Sequence, residues 1–183
     1  MGFPGTLRVV ATYTLENDNR LVLKLQAETD APTFLNLTNH TYWNLAGESS
    51  GAVYDQLLSL NPDRYTPVDE ALVPTGEILT VSETPLDFRQ PRAIGERIRD
   101  GHPQMVIAHG YDHNWVLNRG RASSLVLAAT VVDPKSGRAL KVYSLSLMPT
   151  KVVGSKYWAK VIPVKRGGSR GPCGSKLQSQ NRH

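Results

Sequence analysis

The sequence predicts an all-β protein, an antiparallel β-sandwich, and three observations predict it. Apolar residues alternate with polar ones at period two in several separate stretches. Turn-forming Gly, Pro, Asn and Asp recur between those stretches. Only one stretch, Arg92 to Asp100, reads as a helix, and it is short. With 183 residues, 40% of them hydrophobic, the chain can build one domain with a core but not two large ones. No run approaches the ~18–20 apolar residues of a membrane-spanning helix.

The elements follow in chain order. Leu7, Val9, Ala11, Tyr13 and Leu15 alternate with Arg8, Thr12 and Thr14, the pattern of a half-buried strand. Glu16-Asn17-Asp18-Asn19 supplies a turn, and Leu21, Leu23, Leu25 and Ala27 resume the alternation, so a hairpin is predicted. Ala31-Pro32 breaks the run. Thr33 to His40 then predicts a third strand, with Leu35 and Leu37 on one face and Phe34, Asn36, Thr38 and His40 on the other. A mixed polar and aromatic face of that kind suits the floor of a polar cleft. The middle is dense in Pro and Gly, with short apolar runs at Gln56–Leu60 and Ile78–Val81. Leu125 to Val132 and Arg138 to Tyr143 flank Asp133-Pro134-Lys135-Ser136-Gly137, a hairpin loop with Gly placed for positive φ. No internal repeat is visible.

Charge divides the chain into two parts. Eight of the 21 basic residues lie after position 144, where there is no Asp or Glu. The first 144 residues keep 13 basic against 16 acidic side chains, a formal −3. We therefore read 1–144 as the folded part and 145–183 as a basic tail. Leu, Ile, Val and Phe nearly vanish after about 165, and that end is expected to be disordered. Between them, Val152-Val153, Tyr157-Trp158 and Val161-Ile162 are enough for one marginal strand. The tail predicts loose, salt-sensitive affinity for polyanions. No zinc, helix-turn-helix or RNA-recognition signature accompanies it, so no specific nucleic-acid partner is expected. The single cysteine, Cys173, excludes an internal disulfide and a multi-cysteine zinc site. Met1-Gly2-Phe3-Pro4-Gly5 lacks the basic and apolar regions of a secretory signal. Gly2 and Thr6 fit a loose myristoylation pattern, though a Pro-Gly turn accounts for the same letters. A cytoplasmic protein is expected.

Two clusters carry the chemistry, Asn39-His40-Thr41-Tyr42-Trp43-Asn44-Leu45 and His109-Gly110-Tyr111-Asp112-His113-Asn114-Trp115. Aromatic faces stack on sugar C–H surfaces, and amides, carboxylates and imidazoles bond hydroxyls, so this composition suits a carbohydrate cleft. On chemistry alone, His40 reads either as a structural residue closing a strand or as an acid catalyst. Asp112 reads as a turn cap or, with His109 and His113, as a minor candidate for a metal site; Gly110 opposes the helix that would align those histidines. His102 and His183 stand in turn-rich, polar surroundings and carry no signal.

At these clusters the sequence resembles the galactose mutarotases, or aldose 1-epimerases. The resemblance runs from Gly2-Phe3-Pro4-Gly5 to about Ser144. It includes Asn39-His40-Thr41-Tyr42-Trp43-Asn44-Leu45-Ala46-Gly47, Tyr65-Thr66-Pro67-Val68-Asp69, Val73-Pro74-Thr75-Gly76-Glu77, Thr84-Pro85-Leu86-Asp87-Phe88 and Gly110-Tyr111-Asp112-His113-Asn114. It implies a large β-sandwich, the supersandwich of that family, with a sugar cleft on one concave sheet. It also implies interconversion of the α and β anomers of an aldohexose, without cofactor or metal. His40 takes the place of the family's general acid, and Asp112 that of a residue binding sugar hydroxyls. Thr41 and Tyr42 follow the acid along the cleft wall, with Trp43 and Leu45 expected in the core.

The resemblance stops at both ends. The family has a portion before the Gly2-Phe3-Pro4-Gly5 stretch that lines the cleft, and this chain starts at Met1. Where the family continues to a Glu that serves as base, this chain reads Leu145-Ser146-Leu147-Met148-Pro149-Thr150, and nothing downstream matches. The acid-free composition after Ser144 has the look of a shifted reading frame. The expectation is an incomplete sandwich that binds a small aldohexose, with the acid present, no general base, and weak or no turnover. The alternative is a non-catalytic carbohydrate-binding or inert sandwich fragment.

Overall fold

The computed structural model describes residues 3–35, 37–118, 125–145 and 156–164. Its strands are Leu7–Leu15 (β1), Leu21–Thr29 (β2), Leu57–Leu60 (β3), Arg64–Thr66 (β4), Leu79–Thr80 (β5), Arg92–Ala93 (β6), Asn114–Val116 (β7), Leu125–Val132 (β8), Ala139–Leu145 (β9) and Lys156–Val164 (β10). They make a seven-stranded sheet in the order β1-β2-β10-β9-β8-β3-β6 and a three-stranded sheet in the order β5-β4-β7. Pairing is antiparallel throughout the described residues. The architecture is the all-β sandwich that the alternation predicts. Strand β10 takes in the Tyr157-Trp158 and Val161-Ile162 pairs. Val152-Val153 and the end expected to be disordered lie outside the described residues.

The first hairpin forms as expected, and its register sets Leu7 opposite Thr29 and Leu15 opposite Leu21. Glu16 N donates to Arg20 O at 2.8 Å, and Asn19 takes a φ of 63°, a left-handed conformation that Asn tolerates. The strands differ in burial. Leu23, Leu25 and Ala27 of β2 are buried, as a period of two requires. All nine residues of β1 are exposed, although its pattern is equally apolar. Position explains this: β1 is the edge strand of the described sheet. The hairpin around Gly137 also forms as read. Asp133 N donates to Arg138 O at 2.9 Å, Gly137 has a φ of 68°, and the buried Asp133 carboxylate accepts from Ser136 N at 2.9 Å. The Ser136 hydroxyl first, and then its backbone N–H, hold the Asp133 carboxyl below the usual carboxylate range.

Two expected elements do not form. Among the described residues of 34–43 there is no strand. A strand exists only where a neighbour takes its hydrogen bonds, and alternation without a neighbour leaves an extended loop. The helix expected over Arg92–Asp100 is also absent. Arg92 and Ala93 pair with Leu58 and Leu57 of β3, and Ile94–Glu96 makes a single 3-10 turn. Gly95 weakens a helix there, and a Cβ on it would stand 2.6 Å from Tyr54 Cβ, so the bare backbone packs on that ring stem instead. The α-helix forms further on, at Pro103–Ile107 (α1). Pro103 opens it without a missing bond, and His102 Nδ1 caps it by accepting from Gln104 N at 3.2 Å.

Tyr65, Val81, Leu86 and Met105 form a buried cluster against which Tyr111 and Trp115 pack. Phe88 is buried beside it, its ring 5.0 Å from Tyr111 and 6.4 Å from Trp115. The chain through Thr84–Phe88 has no ladder, yet five successive carbonyls find donors. Thr84 O accepts from Arg97 Nη1 at 2.9 Å, Pro85 O from the Tyr111 hydroxyl at 3.4 Å, and Leu86 O from Trp115 Nε1 at 3.1 Å. Asp87 O accepts from Arg97 Nη2, and Phe88 O accepts from Leu60 N at 2.8 Å. The same guanidinium sits 5.8 Å from the centre of the Phe88 ring.

Arg97→Ala strands two carbonyls at once and is expected to lower unfolding free energy by about 2–4 kcal/mol in urea titration. Arg97→Lys recovers only part of that loss, because an ammonium cannot fork over two acceptors as a guanidinium does.

Candidate active site

The Asn39–Gly47 segment is pinned at both ends and free between them. At its start, Asn39 Nδ2 donates to the Tyr13 hydroxyl at 3.0 Å, and Asn39 Oδ1 accepts from Thr41 N at 3.0 Å. At its end, Asn44 Oδ1 accepts from Ala46 N at 3.1 Å and from the buried Gln56 amide at 2.8 Å. Asn44 Nδ2 donates to Gly51 O at 2.9 Å. Leu45 O accepts from Arg138 Nη1 at 2.7 Å and from Ser136 Oγ at 3.2 Å, which ties the segment to the β8–β9 hairpin. Gly47 leaves with a φ of 112°, which a side chain would oppose.

Between these anchors His40, Thr41 and Tyr42 face solvent. Tyr42 is 85% exposed, and its ring centre lies 4.9 Å from that of His40 at 47°. Trp43, expected in the core, is 43% exposed, while Leu45 is half-buried. The loop places Trp43 outside because no strand carries it inward.

The second cluster follows α1. His109 and Gly110 take positive φ of 53° and 134°, and the chain turns sharply into β7. Gly110 is buried against Ile98, whose Cγ1 would lie 3.3 Å from a Cβ placed there. Burial pushes the Tyr111 phenol up from its ordinary value. Asp112 is exposed and has no hydrogen bond or ion pair among the described residues.

His113 is buried, and its Nε2 lies 3.0 Å from Gln104 Oε1. Gln104 bonds both backbone groups of Val68, Oε1 accepting from Val68 N at 2.8 Å and Nε2 donating to Val68 O at 2.9 Å. Because Oε1 is an acceptor, His113 Nε2 carries the proton, a tautomer assigned from the network. Burial lowers the His113 pKa below the ordinary histidine value; Asp112 opposes that and His102 adds to it.

His40, Thr41 and Tyr42 thus stand on one loop and Asp112 on another. No hydrogen bond, ion pair or ring contact joins the two groups among the described residues. The metal reading finds no support in geometry. His109 is exposed, His113 Nε2 is committed to Gln104, and no group of three metal-ligating side chains occurs among the described residues. Nor is any described helix long and apolar enough to cross a membrane. An open depression of about 440 Å³ lies between β3 and β8, and none of the four candidate residues lines it. Gln56 braces the first cluster through Asn44 and Gln104 the second through His113, and no local pattern singles them out in the sequence.

The fold and its loops define an antiparallel β-sandwich protein with two polar-aromatic loops at its surface, and the comparisons narrow that class. A family model described as aldose 1-epimerase matches residues 1–153, and the chain belongs to that family. It is 41% identical over 143 residues to the galactose mutarotase of Mus musculus and 39% identical to that of Homo sapiens. It is 36% identical over the same length to the aldose 1-epimerase of Escherichia coli. Each match covers 78% of this chain and 40% of the relative, so the chain spans about two-fifths of the length of these curated relatives. The crystal structure of galactose 1-epimerase from Lactobacillus acidophilus superposes with a TM-score of 0.67 at 28% identity, covering 86% of this chain and 49% of that one. An aldose epimerase homologue from C. elegans gives 0.65 at 26% identity, over 88% and 52%.

Gly110→Ala meets both an unfavourable φ and the Ile98 side chain, and is expected to cost about 1–3 kcal/mol of stability in urea titration.

Proposed function

We propose that this chain supplies the acid half of an aldose 1-epimerase, acting in the cytoplasm on a free aldohexose such as galactose or glucose. His40 is the general acid. It gives a proton to the ring oxygen while a base takes the proton of the anomeric hydroxyl; the C1–O5 bond breaks and C1 becomes an aldehyde. Rotation about C1–C2 lets the freed hydroxyl add to the other face, and the two protons return. The reaction is redox-neutral and needs no cofactor. An imidazolium suits the acid role because histidine as a residue type ionises in the neutral range, where proton transfer wastes little driving force. Thr41, Tyr42 and Asp112 bind the sugar, the carboxylate accepting from hydroxyls and the Tyr42 ring offering a face to C–H groups.

The observation that carries this reading is the loop of His40, Thr41 and Tyr42, exposed between anchors at Asn39 and Asn44 inside a chain of the epimerase family. We assign no general base to this chain, and proton transfer by one placed group is worth ~10²–10⁴-fold. Turnover by the chain alone is therefore expected to be weak or absent. Exposed Tyr42 and Trp43 favour a second reading, carbohydrate binding without catalysis.

Polarimetry on freshly dissolved galactose, with buffer catalysis subtracted, separates the two readings. His40→Ala is expected to bring any excess rate to background, and Asp112→Ala to weaken galactose binding roughly 10–100-fold in a titration. A variant that equals the parent removes that residue's role. Sugar binding with no excess rate in the parent leaves the binding reading.

A further inference from the structure

We propose that His113 is a positioning residue for Asp112: its neutral ring, bonded through Nε2 to Gln104 and packed edge-on against Tyr65 and Trp115, holds the turn that presents the Asp112 carboxylate, and protonation of the ring releases that turn. This rests on the reading of Asp112 as a sugar-binding residue.

Three observations carry it. The first is an unbroken chain of bonds from the Val68 backbone through the Gln104 amide to the ring that directly follows Asp112. Gln104 grips Val68 with both its polar atoms, so its Oε1 cannot turn into a donor and accepts only an Nε2–H. The second is the fit of the ring itself. Its centre lies 5.8 Å from that of Tyr65 at 83° and 6.5 Å from that of Trp115 at 76°. Its Nδ1 is buried and has no hydrogen-bond partner among the described residues. A proton added at Nδ1 would place a cation between aromatic rings with no acceptor for the new N–H. The third is the turn. His109 and Gly110 hold positive φ, a conformation that neighbours must enforce at His109. His113 is the side chain nearest in sequence after Asp112 that is fixed in the core.

The charged and titratable groups that act on His113 are few. Asp112 beside it favours the protonated ring, His102 at the start of α1 opposes it, and Tyr65 of β4 faces it as a neutral phenol. Burial outweighs Asp112, so the folded ring holds its proton less readily than a free histidine. The sign follows. The neutral ring's contribution is complete above the ordinary histidine value, about 6.5, and is lost as pH falls from there through the lower folded value. Sugar affinity follows the folded titration alone: it holds above the lowered folded value of His113 and falls below it, by at most about tenfold per pH unit.

Two variants and one spectrum test this. His113→Gln places an amide N–H near the Nε2 position and can still reach Gln104; His113→Asn places it near Nδ1 and cannot. The Gln variant is expected to bind galactose as the parent does at pH 8 and to lose the parent's fall in affinity as pH is lowered through the titration of the His113 ring. The Asn variant is expected to bind about tenfold more weakly at pH 8. In the parent, the amide resonances of Gly110 and Asp112 are expected to move with the His113 ring signals as pH is lowered, with or without sugar. A Gln variant that keeps the parent's pH profile, or Gly110 and Asp112 amides that stay fixed while the ring titrates, overturns the proposal. If Asp112→Asn binds galactose like the parent, or the parent binds none, the sugar role of Asp112 fails instead, and the amide titration alone decides on His113.

Discussion

Backbone polarity in an irregular core is the constraint on which the rest of this structure depends. Thr84–Phe88 runs beside the buried cluster without a strand partner, and its carbonyls would each forfeit a hydrogen bond if left unpaired. Three side chains and one backbone N–H answer them: Arg97 after the 3-10 turn, Tyr111 and Trp115 around β7, and the backbone of Leu60 in β3. Those donors come from both sheets and from the loop between them. The segment therefore sets where β3, β7 and the turn at Gly110 stand relative to one another.

The candidate site inherits that arrangement. Tyr111 is spent on a carbonyl and on the Phe88 ring, and His113 on Gln104, so Asp112 between them is left to solvent. The other loop follows the same logic with different parts. Asn39 and Asn44 are consumed as anchors, and the intervening His40, Thr41 and Tyr42 are exposed. In both clusters the polar residues with structural duties flank those without. Such a division lets rigid backbone carry side chains free to meet a ligand.

Much of this was legible in sequence, and the misses have one cause. The β1–β2 and β8–β9 hairpins were readable because alternation and turn chemistry are local properties. The strand expected over Thr33–His40 and the helix expected over Arg92–Asp100 failed because each needs something the segment does not contain. A strand needs a neighbour, and Arg92-Ala93 had a better offer from β3 than from its own helix. Trp43 went outward and β1 stayed uncovered for the same reason, since an apolar face is buried only when something packs on it. His40, Thr41, Tyr42 and Asp112 were named from motifs. Gln104 and Arg97 were invisible, being single polar residues far in sequence from what they bond.

The sequence by itself determined the class of fold, the two hairpins, the turn glycines, the charge division at position 144 and the membership in the epimerase family. Each of these is written in neighbouring residues or in ordered motifs. Tertiary structure alone decided which apolar faces are covered, where the helix forms, and which of the clustered polar residues hold backbone and which are left free. Those outcomes turn on contacts between segments tens of residues apart, such as Val68 with Gln104 and Leu45 with Arg138. Hydrogen-bond satisfaction is a property of the whole fold, and no window of sequence contains it.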